Sequence, residues 1–193
     1  MKRRSNTKKP HDPHSFYLDE GLSSPDIAKL MKDAGMSVFQ YELLFARNQK
    51  IPDDVVIEKA HTSRLILTTK DEAMEREWIG TVIATKARMV LLTDGTGGIT
   101  NLAAALICAH PAIERILLDT PDGPLIIKVN RSGDVTKIRG EVELQERWKH
   151  LFQAAMVRSK RHGTPAPRPI KAKKQSKDRS DYLPLLEAKE AKS

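Results

Sequence analysis

Single carboxylates stand at the ends of several short apolar segments, in places where they could share a divalent cation. Asp19, Asp71 and Asp94 each follow such a segment, and Asp53 starts an amphipathic one. Clustered carboxylates repel one another unless a cation neutralises them, and Mg²⁺ and Mn²⁺ are hard ions that prefer oxygen ligands. Near a phosphodiester, such ions activate a water and stabilise the attacking and leaving oxygens. The pattern is therefore compatible with metal-dependent phosphodiester hydrolysis.

The same residue positions also have a purely structural interpretation. Asp53 and Asp71 stand where a helix is expected to begin, and Asp is among the best helix N-caps. Asp19 and Asp94 precede turns that contain glycine, where Asp is common as well. Spacing alone favours the interpretation as caps and turns, so evidence from elsewhere in the chain has to decide between the two.

Strand and helix patterns alternate along the chain and predict one α/β domain. Strands are expected at residues 16–18, 37–41, 65–68 and 88–93, helices at 24–34, 53–61, 72–84, 99–110 and 112–118 (the last two separated by Pro111), a hairpin at 125–139, and a final helix at 141–157. This order implies βα units, a mainly parallel sheet and helices on both faces. Ligands of such sheets bind beyond the carboxyl ends of the strands, which is the edge where the acidic residues are expected.

Positive charge is concentrated at the two ends of the chain. Residues 1–14 carry five Lys or Arg and one acid, and residues 157–193 carry eleven Lys or Arg and four acids, which leaves a net charge of −3 between them out of the total of +8. We therefore expect a disordered basic N-terminus at 1–14, a folded domain at 15–157 and a basic, largely disordered tail at 158–193. Each tail suits a polyanionic partner, or is simply a solvated end that keeps the protein soluble.

Cysteine content and hydropathy exclude several other classes of protein. Cys108 is the only cysteine, so neither a disulfide within the chain nor a cysteine-based zinc site is possible, and a buried core thiol is expected. The sequence has no evident run of the ~20 apolar residues that a membrane span needs. The N-terminus lacks the apolar core of a signal peptide, so we expect a cytoplasmic protein with no membrane partner.

Several short motifs together resemble PIN-like domains of the VapC-type toxin branch. That branch begins with a hydrophobic strand, Asp and a nearby Leu, continues with a Pro-Asp-acid helix start, and then shows a Thr-basic-Asp turn. The corresponding segments here lie at 16–22, 52–57 and 65–71, with further similarity at 91–93, 111–114 and 127–133. The resemblance covers about residues 16–139, and Gly21 departs from it because an Asn is common at that position.

The resemblance implies a PIN-like three-layer α/β/α sandwich and a ribonuclease that uses Mg²⁺ or Mn²⁺. The acidic positions of the family fall on Asp19, Asp53 and Asp71, and Thr69 matches the hydroxyl that supports them. Neighbouring acids that could also ligate, or only adjust the local charge, are Glu20, Asp54 and Asp94. The candidate RNA contacts are Lys70, Arg158, Lys160 and Arg161.

Two functional hypotheses follow from these observations. The first is an endoribonuclease that is the toxin of a toxin–antitoxin pair, with RNA as substrate and a small antitoxin protein as partner. The second is a catalytically inactive module of the same fold that binds nucleic acid or protein. The Trp148 face of the last helix could pack in the core or form a homodimer surface, and the sequence leaves this open.

Overall fold

A six-stranded sheet forms the centre of the domain. The structure, a computed structural model, describes residues 14–46, 49–93 and 98–162, with side chains as far as residue 158. The strands are β1 (Ser15–Leu18), β2 (Ser37–Phe39), β3 (Ile66–Thr69), β4 (Arg88–Leu92), β5 (Leu125–Val129) and β6 (Val135–Arg139). They lie in the order β2-β1-β3-β4-β5-β6; all neighbours are parallel except β5 and β6, which form an antiparallel hairpin.

Within the described residues, five helices connect or follow these strands. They are α1 (Pro25–Asp33), α2 (Asp53–Thr62), α3 (Glu72–Thr85), α4 (Ile99–Asp119) and α5 (Glu141–His162), with a short 3₁₀ helix at Tyr41–Leu43. Ser24 caps α1 by accepting a hydrogen bond from the Asp26 amide, and Pro25 begins the helix, where its missing N–H costs nothing. The predicted α/β class and the mainly parallel sheet with a C-terminal hairpin and helix are confirmed.

Two hydrophobic cores cover the two faces of the sheet. On one face, α1 and α4 cover the side chains of every second strand residue, such as Leu18, Val90 and Ile127. On the other face, α2, α3 and α5 cover the intervening positions, such as Tyr17 and Leu67. The strands are therefore buried on both sides, as expected for a parallel sheet covered by helices.

Helix α4 differs from its prediction in being continuous. Pro111 was expected to break it, because proline removes a backbone hydrogen bond and crowds the preceding turn, yet the helix runs from Ile99 to Asp119. Ala109 and Ile113 on either side of the proline are fully buried, so packing holds both halves in line. Among the described residues, α4 is also the one helix with the length and apolar composition to cross a membrane, a property shared by core helices such as this one.

Three further expectations about the fold were wrong in detail. Cys108 is exposed rather than buried, because it lies on the side of α4 that faces the β5–β6 turn instead of the sheet. Helix α5 continues to His162, beyond the predicted end near residue 157. Strand β2 is shorter than expected and ends at Phe39, where the chain turns into the 3₁₀ helix.

Candidate acidic site

The strand order creates a crevice at the carboxyl ends of β1 and β3. From β1 the chain passes to β2 on one side of it and then returns to place β3 on its other side. The connection after β1 and the connection after β3 therefore run in opposite directions across the sheet. Ligands of open α/β sheets bind at such a switch point. Asp19 directly follows β1, and Asp71 lies two residues after the end of β3.

Thr69 joins these two acidic residues. Its buried hydroxyl donates a hydrogen bond to Oδ2 of Asp19 at 2.9 Å and accepts one from the Asp71 amide at 3.0 Å. The second oxygen of Asp19 accepts a hydrogen bond from the Glu20 amide at 2.8 Å. The backbone amide of Asp19 also donates to the Thr68 carbonyl at 3.0 Å, which continues the β1–β3 pairing beyond the strand. Asp19 is thus held in one orientation.

Asp53 reaches the same region from the start of α2. It is the first residue of that helix, and Pro52 rather than Asp53 occupies the N-cap. Its Oδ2 accepts a hydrogen bond at 3.0 Å from the indole nitrogen of Trp78 on α3. Asp71 does cap α3, since its Oδ1 accepts from the Ala73 amide at 2.8 Å. The hydrogen bonds to Asp53 and Asp71 each use a single carboxylate oxygen.

The charges of these residues act on one another. Burial raises the pKa of Asp19 above its usual range; its hydrogen bonds from Thr69 and Glu20 oppose this, and the charges of Asp53 and Asp71 add to it. Burial also raises the pKa of Asp53, against the hydrogen bond from Trp78 and with the help of the Asp71 charge. Burial together with the charges of Glu20, Asp19 and Asp53 raises the pKa of Tyr41 to about 12. The three carboxylates therefore form one electrostatic group.

This group has the right chemistry for a hard divalent ion but is not assembled around one. Within residues 14–46, 49–93 and 98–158, no three His, Cys, Asp or Glu side chains are placed to hold a single ion. The donors are carboxylate oxygens whose mutual repulsion a cation would relieve. Binding of one ion by all three carboxylates would therefore need a change in their side-chain positions. The residues fit such an ion by donor type, and a rearrangement of side chains would complete the site.

The remaining predicted site residues are placed as follows. Glu20 is exposed beside Asp19, and Asp54 is half-buried beside Asp53 and contributes to its raised pKa. Lys70 is exposed at the crevice, and its Cε lies 3.3 Å from where a Cβ at Gly21 would stand. The lysine thus occupies space that an Asn at position 21 would share. Arg158 lies outside this crevice, exposed on α5. The side chains of Lys160 and Arg161 lie outside the described part of the structure, and so does the whole of Asp94.

Sequence reasoning missed two aromatic residues of the site. Trp78 packs partly against the core, and its indole N–H also donates a hydrogen bond to Asp53 across 25 positions of the chain. Tyr41 was assigned to a strand, but it lies in the 3₁₀ helix, close enough to Glu20, Asp19 and Asp53 for their charges to raise its pKa. Its backbone carbonyl accepts a hydrogen bond from the Tyr17 hydroxyl at 2.9 Å. An indole at helical spacing from buried residues resembles any core residue, so no local pattern distinguishes Trp78.

The fold and site together define an α/β domain with an acidic group at its topological switch point. Comparisons with protein-family models, with curated proteins and with solved structures find no match for this chain.

Proposed function

We propose that this protein is a metal-dependent endoribonuclease with a PIN-like fold. The observation that carries the proposal is the electrostatic group of Asp19, Asp53 and Asp71 at the switch point of the sheet. Independent caps need not interact, whereas these carboxylates come from three separate parts of the fold, and the charges of Asp53 and Asp71 help to raise the pKa of Asp19. The resemblance of the motifs to VapC-type domains supports RNA as the substrate and a small antitoxin as the partner.

Each residue has a defined part in this proposal. Asp19, Asp53 and Asp71 would hold Mg²⁺ or Mn²⁺, and Thr69 and Trp78 orient the first two of these carboxylates. A divalent ion bound there supplies the positive charge that lowers the pKa of a water and offsets charge on the phosphate oxygens. The exposed ammonium group of Lys70 lies at the same crevice and suits contact with an RNA phosphate.

Cleavage of single-stranded RNA tests the proposal. We expect the purified protein to cut RNA with Mn²⁺ or Mg²⁺, and EDTA, Asp19→Asn or Asp71→Asn to abolish cleavage. Asp122→Asn is the matched control, because Asp122 is an exposed acid close to the amino end of β5, at the opposite edge of the sheet. Equal activity in all variants, or activity that persists in EDTA, would contradict the proposal.

A second candidate is a binding module that retains the fold without catalysis. It is favoured by the absence, among the described residues, of three side chains placed around one ion, and by the cap that Asp71 provides to α3. Thermal unfolding with added Mg²⁺ separates the two candidates. A ligand at 100 times its Kd stabilises the folded state by ~2.7 kcal/mol, which corresponds to roughly 5–11 °C for a domain of this size. The binding-module hypothesis predicts no shift that depends on Asp19.

A further inference from the structure

A buried carboxylate on α3 is surrounded by three cationic side chains. Glu75 is 2% exposed, and its Oε2 lies 2.5 Å from Nζ of Lys128 on β5. Its Oε1 lies 3.2 Å both from Nη1 of Arg139 on β6 and from Nε of Arg147 on α5. We call these four residues the Glu75 cluster. It joins the last three elements of the domain to α3.

The charges of the Glu75 cluster do not balance. Three cations meet one carboxylate, so two positive charges exceed it in a region where Lys128 and Arg139 are largely buried. Buried charges are costly unless they are paired and hydrogen-bonded. Among the described atoms, Oε1 of Glu75 accepts no hydrogen bond, even though both guanidinium groups approach it. The two arginines therefore retain donors that the carboxylate does not use.

A cavity of about 330 Å³ opens beside this cluster, between β6 and α5. Arg139 and Arg147 line it together with Lys137 and His150, and two glutamates of α5, Glu143 and Glu146, line it as well. The residues of the Glu75 cluster and of the cavity together still have one more positive than negative charge, with His150 taken as neutral. Guanidinium groups suit phosphate because their planar, forked donors bind its oxygens in pairs.

The cluster begins at the same edge of the sheet as the acidic residues. Glu75 lies four residues after Asp71 on α3, a rise of about 6 Å. Lys128 is the residue before the carboxyl end of β5, and Lys137 lies directly opposite it on β6. Opposed residues of an antiparallel pair point to the same face, so Lys137 shares the cluster's side of the sheet. The Glu75 cluster and the cavity therefore lie on the side of the acidic crevice that is towards β6.

We propose that the cavity lined by Lys137, Arg139, Arg147 and His150 binds a backbone phosphate of RNA and so positions the strand across the acidic crevice. The inference rests on the proposed function for its choice of RNA. The site itself is built by residues that take no part in the acidic group.

Metal-free binding of a fluorescently labelled single-stranded RNA, followed by anisotropy over a range of salt concentrations, tests this inference. Loss of one phosphate contact on a single strand reduces the slope of log K against log salt by ~0.7. We expect this reduction in Lys137→Gln and again in Arg147→Gln. Lys137 is exposed and has no ion pair among the described residues, so its replacement leaves the Glu75 cluster intact. Arg147→Gln leaves Lys128 and Arg139 in contact with Glu75.

Arg115→Gln is the matched control, because Arg115 is an exposed arginine of α4, a helix on the other face of the sheet. Its salt slope should equal that of the unmodified chain. Equal reductions in all three variants would show that only overall charge matters and would overturn the inference, as would unchanged slopes in Lys137→Gln and Arg147→Gln. Because EDTA is present and no cleavage is measured, these outcomes are independent of whether the acidic group is catalytic. A chain that binds RNA with the expected slopes but never cuts it would refute the proposed function alone.

Discussion

The hydrogen bond between Trp78 and Asp53 can be measured by removing each partner. The indole nitrogen donates to Oδ2 of Asp53 at 3.0 Å and so links the first residue of α2 to α3. A hydrogen bond to a charged group contributes about 1.5–3 kcal/mol to stability. Asp53 is only half-buried, so solvent screening reduces the value to the lower limit of that range or somewhat below it. We expect a coupling free energy of about 1–1.5 kcal/mol.

A double-mutant cycle of Trp78→Phe, Asp53→Ala and the combined variant, by urea denaturation in metal-free buffer, gives this coupling directly. Trp148→Phe is the matched control: Trp148 is also a half-buried helical tryptophan, and no carboxylate partner is described for its indole. The Trp148→Phe variant should lose stability through reduced packing and should show no coupling free energy with Asp53→Ala. The hydrogen bond favours the ionised carboxylate and opposes its raised pKa. The coupling should therefore shrink as pH falls through the pKa of Asp53.

The reasoning would be refuted by a coupling within about 0.3–0.5 kcal/mol of zero at neutral pH, which is the scatter expected of independent sites. A coupling that stayed constant while Asp53 became protonated would refute it too, because the contact would then owe nothing to the carboxylate charge. The expected coupling corresponds to a difference of roughly 2–6 °C in Tm for a domain of this size.

Three other predictions follow from the packing and charge of the domain. Gly133→Ala should cost clearly more than the ~1–2 kcal/mol expected for Gly35→Ala: both glycines have φ of +85°, but a Cβ at 133 would stand 2.6 Å from the Cβ of Cys108, whereas position 35 is open. Equal losses of stability on urea denaturation would contradict the close approach of the hairpin to α4. Asp19→Asn should stabilise the metal-free protein at neutral pH, because a folded pKa above the unfolded value of 3.8 makes stability fall as pH rises through it. This gain should disappear below pH 3.8, and a gain that is independent of pH would contradict the assignment. Glu75→Ala should cost about 3–5 kcal/mol, since it leaves three cations without their buried carboxylate. A loss below 1 kcal/mol in thermal or urea unfolding would show that the cluster is not a stabilising contact.

The order of elements could be read from the sequence because each carries a strong local signal. The β-branched and apolar segment around Leu67 reads as a buried strand, and Ser24 and Gly35 mark the two ends of α1. These signals depend only on neighbouring residues. They also placed Asp19 and Asp71 at strand ends, which is why the candidate acids could be named before their separation was known.

The contacts between distant segments could not be read in the same way. Nothing local shows that Trp78 lies against Asp53, or that Arg147 reaches a glutamate 72 positions earlier. Pro111 is a case in which local preference was overridden, because the buried residues on both sides of it keep α4 straight. Tertiary packing determines whether a helix continues through a proline and which distant side chains meet. A prediction made from one element at a time contains no information about that packing.

A helix cap and membership of a shared site, which spacing alone posed as alternatives, are compatible roles for one carboxylate. Asp71 caps α3 with Oδ1, a role that contributes about 1 kcal/mol, and its Oδ2 has no hydrogen bond within the described part of the chain. Oδ2 of Asp53 accepts a hydrogen bond from Trp78, and no hydrogen bond to its Oδ1 is formed by the residues that the structure describes. A carboxylate has two oxygens, so one can satisfy the fold while the other takes part in the group around Asp19. Asp19 itself caps no helix, and its raised pKa reflects burial beside the other two charges. Because Asp19 caps no described helix, its substitution changes the acidic group without removing a helix cap, and it therefore separates a nuclease from a binding module most directly.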